Sequence, residues 1–264
     1  MPIRPLRFRE QLDEPFALLQ AHLRPLATLG GLGLAVALPV TLGVTGLVAE
    51  LTGDNDAAVG WTAVGITALA IWLLRFVLRG ATVAIGLADL AGVRLGLSAA
   101  LRGARARFGP LLVAQLMFTL IGLAVLVPGA VLIITYPFAL VGLAFLRGRR
   151  FVVEPVVLAE QLDHGAAVRR SKELTEGAGS PLAGLWLCQR LLFALLAVPL
   201  FGVPFYLSEF TGTHRWAVTG LLIGGTLLVT VIAEIVEAAS RVVVYLDRRC
   251  VRDGMDIRIP GGAR

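Results

Sequence analysis

Apolar residues fall into six blocks of bilayer-crossing length, at about 26–49, 57–78, 110–127, 129–146, 182–206 and 217–243. A spanning helix needs about 20 mostly apolar residues. The stretch from Pro110 to Leu146 is almost unbroken, and at about 1.5 Å per residue it is too long for one passage. Pro128-Gly129 is a turn dipeptide in its middle, so two spans and a tight hairpin are expected there. Between the blocks the period becomes helical and amphipathic. Leu12, Phe16, Leu19 and Leu23 share one face of a segment 8–24, with Arg9, Glu10, Asp13, Glu14 and Gln20 elsewhere, which predicts a helix lying in the interface. Residues 98–108 open with Ser98 as expected N-cap, and residues 164–176 stop at Gly177 as expected C′ glycine.

Breaks of one kind precede the odd-numbered blocks: Arg24-Pro25-Leu26, Gly109-Pro110-Leu111 and Ser180-Pro181-Leu182. The pattern predicts three copies of one unit, each an interfacial helix, a Pro-Leu entry and a spanning hairpin. The expected fold is all-α: one polytopic membrane domain over residues 1–264, six transmembrane helices as three hairpins, and a C-terminal tail at 247–264.

Composition agrees. Of 264 residues, 57% are hydrophobic and only 16% charged, against about 25% charged in soluble domains. That excludes a soluble enzyme and a disordered chain. The Pro-containing, charged N-terminus has no apolar run and cleavage site of a signal peptide. The net charge is +6, and 22 of the 24 basic residues fall on one side of the expected topology, with Arg215 opposite and Arg190 inside a span. This positive-inside pattern places both termini in the cytoplasm. It also reassigns the basic charge from nucleic acid to anionic lipid headgroups. Other membrane proteins or a second copy of the chain are the remaining partner classes, Gly220-x-x-x-Gly224 being either an intrachain packing motif or a dimer contact.

Candidate chemistry is sparse. Arg190, Glu234 and Glu237 lie inside spans, and a charge there costs about 2.5–3.5 kcal/mol on insertion scales, so it pairs or faces water. Glu237 and Arg241 are four apart, and we expect one polar cluster of Arg190, Glu234, Glu237 and Arg241. A cationic cytoplasmic rim of Arg169, Arg170, Tyr245, Asp247, Arg248, Arg249, Arg252 and Asp256 is the expected lipid or partner contact. Asp89 and Glu160, just past the second and fourth spans, are expected either as solvated interfacial charges or as partners for the cytoplasmic arginines or a docking site. His22, His164 and His214 fall on two sides, Cys188 and Cys250 have no ligand spacing, and Gly31-Leu32-Gly33 sits in a span. No catalytic set, metal site or cofactor is expected. A non-catalytic scaffold, anchor or complex subunit follows, with a transporter or lipid-handling protein as the alternative.

Three stretches then acquire a family meaning. They are Arg4-Pro5-Leu6-Arg7-Phe8-Arg9-Glu10-Gln11-Leu12 leading to His22-Leu23-Arg24-Pro25-Leu26; Pro155-Val156-Val157-Leu158-Ala159-Glu160 with Ala167-Val168-Arg169-Arg170-Ser171 and Leu174-Thr175-Glu176-Gly177; and Tyr245-Leu246-Asp247-Arg248-Arg249 with Gly254-Met255-Asp256. In that order they resemble the glycerophosphoryl diester phosphodiesterase membrane-domain family, many of whose members are stand-alone bacterial membrane proteins. The resemblance covers essentially the whole chain. It implies a polytopic helical domain in the inner membrane. It does not imply phosphodiesterase activity, which in two-domain members belongs to a separate soluble barrel.

Overall fold

The computed structural model describes residues 4–131, 133–211 and 215–254. Among them the chain forms ten α-helices, one 3₁₀ turn and no strand: α1 (Phe8–Ala21), α2 (Leu23–Thr52), α3 (Asp56–Leu90), α4 (Leu97–Ala106), α5 (Phe108–Val131), the turn Ile133–Thr135, α6 (Tyr136–Gly148), α7 (Val153–Ala159), α8 (His164–Thr175), α9 (Gly179–Thr211) and α10 (Arg215–Asp253). Five helices are long and apolar enough to cross a membrane: α2, α3, α5, α9 over Gly179–Val203 and α10 over Trp216–Asp253.

The short amphipathic helices α1, α4 and α8 precede long helices at all three expected places. Pro25, Pro110 and Pro181 each occupy the third residue of the long helix that follows. There the missing N–H is one of four that have no intrahelical acceptor, so proline is tolerated. Ser98, however, lies inside the first turn of α4, whose N-cap is Gly96 without a side-chain bond. For α8 the cap is Asp163, accepting from the Ala166 amide at 3.0 Å, and Gly177 follows the helix at φ 76°.

The chain divides into two compact units. The first comprises the described parts of Met1–Leu23, Arg79–Gln189 and Val236–Arg264, the second Arg24–Leu78 and Arg190–Ile235. In the first unit the later half of α10 is surrounded on all sides: Val242, Val243 and Val244 are fully buried. A run of β-branched residues is a poor helix by propensity, so tertiary packing sustains it. Val83, Ala238 and Val242 form its core, with Leu87, Leu90 and Leu158 packed around them. Gly86 permits the approach, because a Cβ there would meet Val242 methyls at 3.0 and 3.1 Å and Leu18 at 3.2 Å.

Also in the first unit, α5 and α6 run antiparallel, which changes the expected third and fourth spans. A turn was expected at Pro128-Gly129, but α5 continues through both to Val131. The effective breaker is Pro137 at the start of α6, where its fixed φ suits a first turn. Three contacts set the register of the return limb: Gly129 lies against Ala139, Gly122 against Arg147, and Arg107 donates to Gln161. The α6 helix has only 13 residues, about 20 Å, short of a hydrocarbon core of about 30 Å. Beyond it the limb breaks at 149–152 and resumes as α7, a buried helix absent from the sequence reading. The stretch 129–146 expected as the fourth span thus holds the end of α5, the turn Ile133–Thr135 and most of α6. A Cβ on Gly129 would stand 2.6 Å from that of Ala139. Gly129→Val is expected to destabilise by about 1–3 kcal/mol through overpacking, read as a lowered unfolding midpoint in detergent.

The second unit contains α2, the first part of α3, and parts of α9 and α10. Gly30 packs on Val231, Gly33 on Leu74, and Gly220 and Gly224 face Leu42 and Leu38. The small-residue motif therefore serves packing inside the chain. Leu51, Trp61, Leu195 and Val198 are each at least 65% exposed. A water-facing surface of that kind is an aggregation hazard, whereas hydrocarbon solvates it.

Candidate functional site

The polar site of the first unit grows from four helices. From α3, Arg79 Nη1 donates to Gln115 Oε1 on α5 at 3.3 Å and to Glu154 Oε1 on α7 at 3.2 Å. From α10, Arg241 Nη1 donates to Glu154 Oε2 at 2.5 Å and to the Phe151 carbonyl at 3.4 Å. Its Nη2 donates to Glu237 Oε1 at 2.7 Å, the i,i+4 pair expected from spacing, and Arg79 Nη2 stands 3.6 Å from the same oxygen. None of these five residues is more than 4% exposed. Two guanidiniums thus meet two carboxylates at buried positions. Pairing offsets a desolvation penalty that would otherwise be several kcal/mol per ion.

Phe118 lies among the cations. Its ring centroid is 3.8 Å from the Arg147 guanidinium, 4.8 Å from that of Arg79 and 5.4 Å from that of Arg241. Arg147 also lies 4.9 Å from the Trp186 ring. Aromatic faces carry negative charge density, so each contact adds about 0.5–2 kcal/mol of attraction. Gln115 is seven residues into α5, about 10 Å along its axis, so the cluster sits well inside the helix. The break between α6 and α7 is what brings Glu154 to that level.

Further along α10, the carboxylate of Asp247 is fully buried. It accepts from the Leu6 amide at 2.7 Å and from Gln11 Nε2 at 2.9 Å, and pairs with Arg248 at 2.6 Å. This pins α1 to α10. Tyr245 donates to Glu160 at 3.1 Å, Arg170 pairs with Glu160 at 3.2 Å and Asp253 at 2.6 Å, and Arg249 pairs with Asp253 at 3.2 Å. His22 and Asp89 meet at 2.9 Å.

In the second unit, Arg75 Nε donates to Glu234 at 2.8 Å. Arg75, Arg190 and Glu234 line one cleft of about 260 Å³ whose other walls include Ile71, Phe193 and Val229.

The single expected cluster therefore forms two groups: Glu237 with Arg241, and Arg190 with Glu234 around one cleft. The residues expected as a cytoplasmic rim fall in two settings. Asp247 and Tyr245 are buried, and Arg170, Arg248 and Arg249 are half-buried in pairs, because they cement α1, α8 and α10. Only Arg169 and Arg252 of the described rim are exposed, Arg252 reaching Glu176; Asp256 and His214 lie outside the described residues. Asp89 and Glu160 are likewise paired, with His22 and with Arg170. Sequence reasoning missed Arg75, Arg79, Gln115, Arg147 and Glu154. The available signal was Arg75-x-x-x-Arg79, an i,i+4 pair within an apolar run.

His164 stands beside this core at the start of α8. Burial first, and the Arg150 guanidinium second, lower its pKa from the usual value, against smaller opposing effects of Glu154 and Asp163. An unfolded histidine titrates near 6.5. The unfolded chain then binds the extra proton first, so stability is whole above pH ~6.5 and falls as pH drops from there toward the folded pKa. His164→Gln is expected to remove that acid-side loss, read as a flatter unfolding temperature between pH 7 and 5.

Among the described residues, no group of His, Cys, Asp and Glu could hold a metal ion, and Cys188 and Cys250 are free thiols. Fold and hydropathy define the class: an all-helical protein with several helices able to cross a membrane. No family model, curated protein or solved structure matches the chain.

Proposed function

We propose that the chain is a non-catalytic, multi-pass protein of the bacterial inner membrane that acts as scaffold, anchor or subunit of a membrane complex. In this reading it crosses six times, the broken α6–α7 limb making the fourth passage, and both termini are cytoplasmic. The family resemblance to the membrane domain of glycerophosphoryl diester phosphodiesterases supports the same picture. One observation carries the reading: Arg79 and Arg241 meet Glu154 and Glu237, two against two, and all four residues are buried. A transport site needs water at its charges; a structural staple needs none.

A lipid-handling or transport role is the second reading, favoured by the cleft that Arg75, Arg190 and Glu234 share. The two separate in native-membrane purification combined with liposome reconstitution. The scaffold reading expects a stoichiometric protein partner that is lost in an Arg169→Glu/Lys172→Glu variant and kept in Glu234→Gln. Solute or lipid movement abolished by Glu234→Gln, without such a partner, would reverse the order.

A further inference from the structure

A small cleft in the first unit lies between α5, α6, α7 and the start of α8, bordering the Glu154–Arg241 pair described above. Its wall carries the guanidiniums of Arg147, Arg150 and Arg241, the carboxylate of Glu154 and the imidazole of His164. Both Glu154 oxygens are already engaged, by Arg79 and by Arg241. The Arg150 side chain makes no hydrogen bond or ion pair with any described residue, and the buried Nδ1 of His164 has no partner there either. The cleft is therefore lined by more positive than negative charge and has an unused imidazole nitrogen. Its free volume is about 30 Å³, where one water needs about 10–15 Å³, so it admits two to three water-sized atoms such as the oxygens of a phosphate seated at its mouth. The lip is apolar: Met117 and Leu146 line the cleft and are 37% and 46% exposed.

We propose that this cleft binds the phosphate of an anionic lipid, with Arg150 and Arg147 on the phosphate oxygens, His164 as a further donor, and the acyl chains lying over Met117 and Leu146. Guanidinium forks match phosphate oxygens bidentately, and a partly enclosed site strengthens each bond. A free phosphate would satisfy the same cations; the apolar lip favours the lipid. The inference holds whether the protein is a scaffold or a lipid handler.

The test is a calorimetric titration of the full chain in neutral detergent with lysophosphatidylglycerol, lysophosphatidylcholine and inorganic phosphate. The anionic lysolipid is expected to bind at least tenfold more tightly than the zwitterionic one, and more tightly than phosphate. Arg150→Gln/His164→Asn should weaken it at least tenfold with an unchanged elution profile and helical content, since neither side chain belongs to the buried network. Wild-type affinity in that variant, or equal affinity for the two lysolipids, would overturn the site. Phosphate binding as tightly as the anionic lysolipid and displacing it would overturn the lipid assignment.

Discussion

Glu154→Ala is expected to lower the stability of the protein in detergent by about 3–5 kcal/mol, the largest single effect we foresee. The reason is geometric. One carboxylate, on a side chain 5% exposed, bridges Arg79 at 3.2 Å and Arg241 at 2.5 Å. Without it two guanidiniums share Glu237 alone, and a net positive charge stays buried. Removing one partner of such a pair costs much more than removing both. Glu154→Leu combined with Arg241→Met leaves Arg79 facing Glu237 at 3.6 Å, a neutral pair. That double variant should therefore regain more than half of the lost stability. A thermal unfolding series over both variants checks it. Simple addition of the two single losses would contradict coupling through one network.

Asp247→Ala should produce the second-largest loss, and a more local one. Its oxygens accept the Leu6 amide and the Gln11 side chain, joining segments more than 230 residues apart. Each buried donor left without an acceptor costs about 1–3 kcal/mol. The tie is also what docks α1, which has few other polar anchors. Hydrogen exchange over residues 8–21 should rise sharply in the variant, while α5 and the core of α10 keep their protection. Uniform loss across the chain would mean that Asp247 supports the whole unit rather than α1.

Long apolar periodicity made most of the fold legible. The boundaries of α2, α5 and α9 fall within four residues of those read from hydropathy at most of their ends, and the short helices stand where amphipathic spacing and glycine placed them. Three features were not legible, each for a physical reason. The helix α7, Val-Glu-Pro-Val-Val-Leu-Ala, is buried over Val153–Val157, more than a full turn, so no polar face betrays its period. Arg75 and Arg79 fall at the end of the apolar block 57–78, where charge usually closes a span. Yet α3 continues for eleven residues beyond Arg79, and its buried face receives carboxylates from α10 and, at Arg79, from α7. The rim around Asp247 combined helix-end cations with acids, which describes a surface cap and a buried clamp equally well. Only the tertiary position of α1 distinguishes them. The Glu237–Arg241 pair, fixed by spacing on one helix, was legible; the contribution of Glu154, 87 residues away from Arg241, was not.

The account rests on a chain that crosses the bilayer with its arginine-rich segments on the inner side. Single-cysteine labelling in intact cells tests this most directly, in a background with Cys188→Ser and Cys250→Ala. Asn55→Cys, between α2 and α3, should react with a membrane-impermeant maleimide at once. Glu173→Cys, on the exposed face of α8, should react only after permeabilisation. Labelling of Glu173→Cys in intact cells with Asn55→Cys protected, or equal reactivity of both without a membrane barrier, would contradict the account.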